Sequence, residues 1–209
     1  MHFYKRQIFF LGGIVFLLFI FFSYLVHKNL FTHFDFDMTV RLQDHISRHF
    51  DNSFSLLSVI GNVEVVSVIL LILMIFYRKL KTFLVFFFFG LLHFIEIYGK
   101  TFVHHSPPPH FLLRTQALVN FPQFYVSAQN SYPSGHSGRA FFLTTLLFLI
   151  LWKKFSLSRN QKIILFVILI IYDLFMMVSR VYLGEHWTSD VIGGMLLGGS
   201  CALFSLVFL

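Results

Sequence analysis

Residues 131–140 read SYPSGHSGRA. These ten residues hold three Ser, two Gly, one Pro, one His and one Arg, in a chain that is otherwise largely apolar. Two questions follow. One is which solvent the apolar segments are made for. The other is why the chain breaks them to present Ser134, Gly135 and His136 together.

The first question is answered by composition. The 209 residues suffice for one domain, read here as residues 1–209 throughout, and 57% are hydrophobic, including 31 Phe. Charged residues make up 12%, about half the usual share of a soluble domain, so lipid is the solvent. The formal charge of +7 does not point to nucleic acid, because the basic residues sit at the ends of apolar runs and form no single patch. One cysteine, Cys201, excludes an intrachain disulfide.

Six runs approach the ~20 apolar residues of a membrane-crossing helix. They cover 8–26, 55–76, 83–99, 137–152, 163–180 and 190–209. The expected fold is therefore all-α, a polytopic bundle of six transmembrane helices. The first run is too long for a signal-peptide core and no small-residue cleavage site follows it, so it reads as a retained anchor. Lys5, Arg6, Arg78, Lys79, Lys81, Lys153, Lys154, Arg159 and Lys162 fall in segments without an acid. The positive-inside rule puts these segments and both termini in the cytoplasm. The loops at 27–54, 100–136 and around 179–190 then face outward. Between the first two runs, Met38, Leu42, Ile46 and Phe50 make a helical stripe, read as an interfacial helix over 36–50. The run HHSPPPH, 104–110, must leave the third helix at its prolines.

Three polar clusters converge on the outer face. Lys100 ends the third run, Ser134-Gly135-His136 opens the fourth, and SRVYLGEHWTSD, 179–190, joins the fifth to the sixth. They supply the cations Lys100 and Arg180, the imidazoles His136 and His186, a hydroxyl, a glycine and the carboxylate of Asp190. A phosphate needs such a set: an Arg fork and a Lys point charge for its oxygens, and N–H groups at a helix start. Asp190 stands four residues after His186, the spacing of a carboxylate that holds Nδ1–H and frees Nε2 to attack. His136 is then available as a general acid. The set reads as phosphoryl transfer through a histidine. The spacing of His45 and His49 fits a metal pair, but no Glu or Cys completes a ligand set, so neither metal nor cofactor is expected.

These residues resemble signature motifs of the type 2 phosphatidic acid phosphatase superfamily. YPSGHS matches the second, and Ser179-Arg180, His186 and Asp190 match the third. The resemblance implies a metal-independent helical bundle in which His186 becomes a phosphohistidine and Asp190 orients it. His136 would protonate the leaving group, and Lys100, Ser134, Gly135 and Arg180 would hold the phosphate. The first motif departs from the family pattern of Lys, six residues, Arg-Pro. Lys100 and Pro108 match, but Pro107 stands where the Arg belongs. Arg114, in the loop between the third and fourth runs, is the leading substitute; His104 and His105 are the next. Glu96 is placed to position or neutralise Lys100, and Arg139 is a candidate partner for the intramembrane Asp173.

The expected activity is hydrolysis of a lipid phosphate or diphosphate at the outer face, with the bilayer and the lipid as partners. Phosphatidylglycerophosphate, phosphatidic acid, undecaprenyl diphosphate and a lipid A phosphate all fit. A phosphotransferase would use the same intermediate. A transporter or scaffold would share the spans but not both motifs.

Overall fold

In a bilayer the backbone must satisfy its own hydrogen bonds, and apolar runs do so as helices. The computed structural model describes residues 2–77, 83–115, 130–154 and 157–208. Their helices are α1 (His2–His27), α2 (Thr32–His45), α3 (Asp51–Ile60), α4 (Val63–Tyr77), α5 (Phe83–Phe102), α6 (Gly135–Lys154), α7 (Arg159–Tyr182) and α8 (Thr188–Leu206), with 3-10 turns at Arg48–Phe50 and His110–Leu112. Five helices are long and apolar enough to cross a membrane, or six if the bent pair α3–α4 is one span. Arg78, Lys79 and Lys81 lie outside the described residues.

The innermost helix is α8, packed against α1, α5 and α6. Phe9 and Phe16 of α1 lie against Phe204 of α8, with ring centroids 5.4 and 6.4 Å apart. The outer faces of α1 and α7 leave Leu17, Phe21, Ile164 and Ile168 exposed, as lipid-facing residues should be. Helices α6 and α8 touch backbone to backbone. A Cβ on Gly198 would overlap the carbonyl oxygen of Gly138, and one on Gly194 that of Ser134.

Two expectations change in detail. The second span is broken at Gly61–Asn62 and its halves are bent by 48°. Helix α2 ends at His45, with Ile46 extended, so His45 and His49 do not share a helix. Of its stripe, Met38, Leu42 and Ile46 are half-buried and Phe50 is exposed. The residues that α2 buries fully are Asp35 and Thr39. Its inward face is centred on a carboxylate, which a reading of apolar spacing does not find.

Candidate active site

The ends of α5 and α7 and the starts of α6 and α8 meet at one end of the bundle. One main-chain link joins the second motif to the third there, and another closes the third on itself. Ser134 N–H donates to the Asp190 carbonyl at 2.9 Å, and His186 N–H donates to the Arg180 carbonyl at 3.3 Å. The turn between α7 and α8 passes through Gly184 at φ +69°, where a Cβ would overlap the Leu112 carbonyl. Glycine is needed there twice over, for backbone angle and for space.

His186 lies just ahead of α8, not on it. Asp190 sits in the first turn, where a helix start favours negative charge. Its Oδ2 accepts from His186 Nδ1 at 3.4 Å and from Trp187 N–H at 2.9 Å. The carboxylate is fully buried and the His186 side chain is 12% exposed, so the imidazole stands at the rim of the site. This geometry leaves Nε2 outward.

His136 opens α6. The first bond of that helix runs from Gly138 N–H to the Ser134 carbonyl, so the N–H groups of Gly135, His136 and Ser137 precede the ladder. His136 Nε2 donates to Asn62 Oδ1 at 2.9 Å. The break in the second span thus supplies the group that fixes this ring. Ser134 Oγ is buried and has no hydrogen-bond partner. A buried hydroxyl left so is costly unless a ligand completes it.

The cations are not idle. Arg180, fully buried, donates from Nη1 to Ser58 Oγ at 2.6 Å and to Glu185 Oε2 at 2.5 Å. Lys100 Nζ donates to Glu96 Oε1 at 2.9 Å, and Arg139 Nη1 to Glu96 Oε2 at 3.2 Å. Glu96 packs so closely on Gly135 that a Cβ there would overlap its carboxylate. Lys100, Arg139 and Gly135 therefore surround one acid, which occupies the cradle that an anion would use.

The arginine of the first motif has no replacement at its own position. Arg114 is anchored through its N–H to the Leu183 carbonyl at 2.8 Å and stacks over the Tyr182 ring at 5.1 Å. Its Nη1 is buried without a hydrogen-bond partner. His104 stacks on His27, with centroids 5.3 Å apart. His105 turns away from the phosphate cradle, toward Asp190 and Asp35. Asp173 takes its hydrogen bond from Thr144 at 2.8 Å, while Arg139 pairs with Glu96. Reading the sequence alone missed Asp35, Asn62, Ser58 and Glu185. Asp35 and Thr39, spaced one turn apart on α2, were the available signal.

Comparison with known proteins bears on the family and the fold. Residues 80–209 match the family model described as the PAP2 superfamily. Phosphatidylglycerophosphatase B of Bacillus subtilis is 36% identical over 77 residues, which is 37% of this chain and 37% of that protein. The match thus spans well under half of that relative's length. The crystal structure of the first transmembrane PAP2 type phosphatidylglycerolphosphate phosphatase from Bacillus subtilis superposes with a TM-score of 0.74 at 24% identity, covering 94% of this chain and 93% of that one. The crystal structure of Aquifex aeolicus LpxE gives a TM-score of 0.61 at 25% identity, over 83% of this chain and 94% of that one.

Proposed function

The chain belongs to the PAP2 superfamily, and from that premise we propose that it is a membrane-embedded phosphatase that hydrolyses a lipid phosphate or diphosphate through a phosphohistidine. The observation that carries this reading is the His186–Asp190 pair standing beside a helix start with an unpartnered, buried Ser134 hydroxyl. Residues 1–209 act as one domain.

In the first step the Nε2 lone pair of His186 forms a bond to phosphorus. The bond from phosphorus to the lipid oxygen breaks, and that oxygen takes a proton from His136. Asp190 stabilises the positive charge that grows on His186. In the second step His136 takes a proton from water, the water oxygen bonds to phosphorus, and the P–N bond breaks. Lys100, Arg180, Ser134 and the N–H groups at Gly135 hold the phosphate oxygens. Glu96 yields Lys100 and Arg139 when the phosphate enters. Arg114, with its free Nη1, supplies the clamp that Pro107 cannot. With charge stabilisation assigned to side chains and backbone, the reaction proceeds without a metal.

The site lies at the outer face. Lys5, Arg159 and Lys162 belong to the opposite ends of α1 and α7, which supports cytoplasmic termini. The relative and the solved fold named for phosphatidylglycerophosphate make that lipid the first to test.

The experiment is phosphate release by purified protein in detergent, on phosphatidylglycerophosphate, phosphatidic acid, undecaprenyl diphosphate and a lipid A phosphate. Release from at least one is expected to persist in excess EDTA, with an acid-labile phosphoenzyme that His186→Ala abolishes. Near-normal turnover by His186→Ala removes the mechanism. Arg114→Ala is expected to lower kcat/KM about 30-fold, roughly 2 kcal/mol; a loss within about threefold, roughly 0.7 kcal/mol, removes Arg114 from the site.

A further inference from the structure

Asp190 carries a second imidazole. Its Oδ1 accepts from His105 Nδ1 at 2.8 Å, a shorter contact than the one Oδ2 makes with His186. The other face of His105 meets another carboxylate: Nε2 lies 3.6 Å from Asp35 Oδ2. Asp35 is itself tied to the residue next to Asp190. Its oxygens accept from Ser189 N–H at 2.8 Å and Ser189 Oγ–H at 2.6 Å. The chain of groups runs Asp35, His105, Asp190, His186. The first three are out of solvent, at 1%, 6% and 0% side-chain exposure.

A neutral imidazole bonded to Asp190 through Nδ1–H would turn a lone pair at Nε2 toward Asp35, whereas the imidazolium turns an N–H there. His105 has a carboxylate at each nitrogen, so the imidazolium is the form this geometry fits. Burial pulls its pKa down, but the hydrogen bond to Asp190 and the charges of Asp190 and Asp35 outweigh burial and raise it to about 9. A lone imidazolium on Asp190 would cancel the charge that His186 needs. Asp35 restores it, so the three buried groups keep one net negative charge toward the nucleophile. The backbone of His105 is also fixed. Its N–H donates to Asn130 Oδ1 at 3.2 Å and its carbonyl accepts from Ser131 N–H at 2.9 Å. The titratable groups that face the ring are Asp35 from α2 and Asp190 from α8, with His186 and Tyr132 beyond Asp190.

We propose that His105 and Asp35 are positioning residues for the nucleophile: a buried imidazolium–carboxylate pair that locks Asp190 in the orientation that holds His186 for attack. The proposal rests on the phosphohistidine reading above. The segment that lacks the motif arginine at Pro107 thus keeps a cation two residues earlier, facing the orienting carboxylate and not the phosphate. No group in this pair touches the substrate, so its effect belongs in the chemical step and not in binding.

The test uses the full-length protein in detergent. His105→Gln keeps an amide donor but no charge, and it is expected to lower kcat about 30-fold, with KM within about threefold. Single-turnover phosphoenzyme formation is expected to slow by the same factor. Wild-type activity is expected to fall as pH rises through about 9, and His105→Gln to lose that alkaline limb. Asp35→Asn, which keeps the size of the side chain, is expected to move the limb to lower pH. Should His105→Gln fail to fold, the Asp35→Asn profile decides alone. Wild-type kcat in folded His105→Gln overturns the proposal, as does a loss confined to KM, or an alkaline limb unmoved by Asp35→Asn. Wild-type phosphoenzyme that His186→Ala abolishes keeps the nucleophile reading intact in each case, so the two failures are separable.

Discussion

The two imidazoles at the centre of the site are each held by one oxygen, and the oxygens differ in charge. His186 is held by the carboxylate of Asp190 at 3.4 Å, His136 by the amide of Asn62 at 2.9 Å. A carboxylate favours the imidazolium; an amide oxygen fixes a ring without favouring its charge to the same degree. A nucleophilic histidine becomes more positive as it bonds to phosphorus and gains from a carboxylate behind it. An acid must let its proton go, and a carboxylate behind it would oppose that. The support differs too. Asp190, behind His186, is buttressed by Asp35 from α2 and His105 from the segment after α5, whereas Asn62, behind His136, comes from a bend in the second span. What stands behind each ring thus matches the roles proposed for the two histidines.

The largest test of this contrast uses the leaving group. On a lipid phosphate, His186→Ala is expected to lose about 10⁴-fold or more, and His136→Ala about 10²- to 10³-fold. On p-nitrophenyl phosphate, whose phenolate leaves with little help, His136→Ala is expected to recover most of its loss and His186→Ala none. Equal recovery by both would break the division of roles. A smaller effect comes from giving the acid a nucleophile's partner. Asn62→Asp is expected to lower kcat about 10-fold on the lipid and to have little effect on the aryl phosphate. An unchanged kcat on the lipid would mean that the charge behind His136 is immaterial.

The smallest effect is on stability. The raised pKa of His105, about 9, contributes stability that is complete below about pH 6.5, its unfolded value. That contribution is lost as pH rises through about 9. The Tm difference between wild type and His105→Gln is expected to shrink by about 4 °C between pH 6 and pH 10. Asn62→Ala, on the uncharged side, should leave that pH slope as in wild type. Parallel melting curves for wild type and His105→Gln across this range would show that the imidazolium adds nothing.

Much of the architecture was legible because lipid makes a simple demand. Five of the six apolar runs became single helices, with ends displaced by a few residues, and the second became a bent pair. The break at Gly61–Asn62 was not legible, since Gly and Asn within an apolar run are as compatible with an unbroken span. Its cause lies elsewhere in the chain: the Gly61 carbonyl accepts from Arg139 Nε at 2.7 Å and Asn62 from His136. The motif residues could be found from spacing because they sit within three short segments. Asp35 offered only its one-turn spacing from Thr39, and its tie to the third motif, whose Asp190 lies 155 positions further on, has no local signal. His105 was weighed only as a cation for phosphate, since sequence gives a side chain's chemistry but not the direction it faces. Sequence offers Arg139 the partner Asp173, and the fold gives it another, Glu96.

The glycine contacts between α6 and α8 set a tolerance. His136 begins one of these helices and His186 immediately precedes the other, and the helices meet through main-chain atoms at Gly138, Gly194 and Gly198. Main chain resting on main chain cannot be eased by turning a side chain to another rotamer, so the spacing of the two helix starts beside these imidazoles works as a fixed gauge. A gauge of that kind measures a single thing, a tetrahedral phosphorus with its oxygens, and an error of about 1 Å costs about 10²-fold in rate. Whatever hangs from the phosphate has to be accommodated outside the gauge. In this design, a change of lipid calls for new walls around the opening and leaves the two helices that do the measuring as they are.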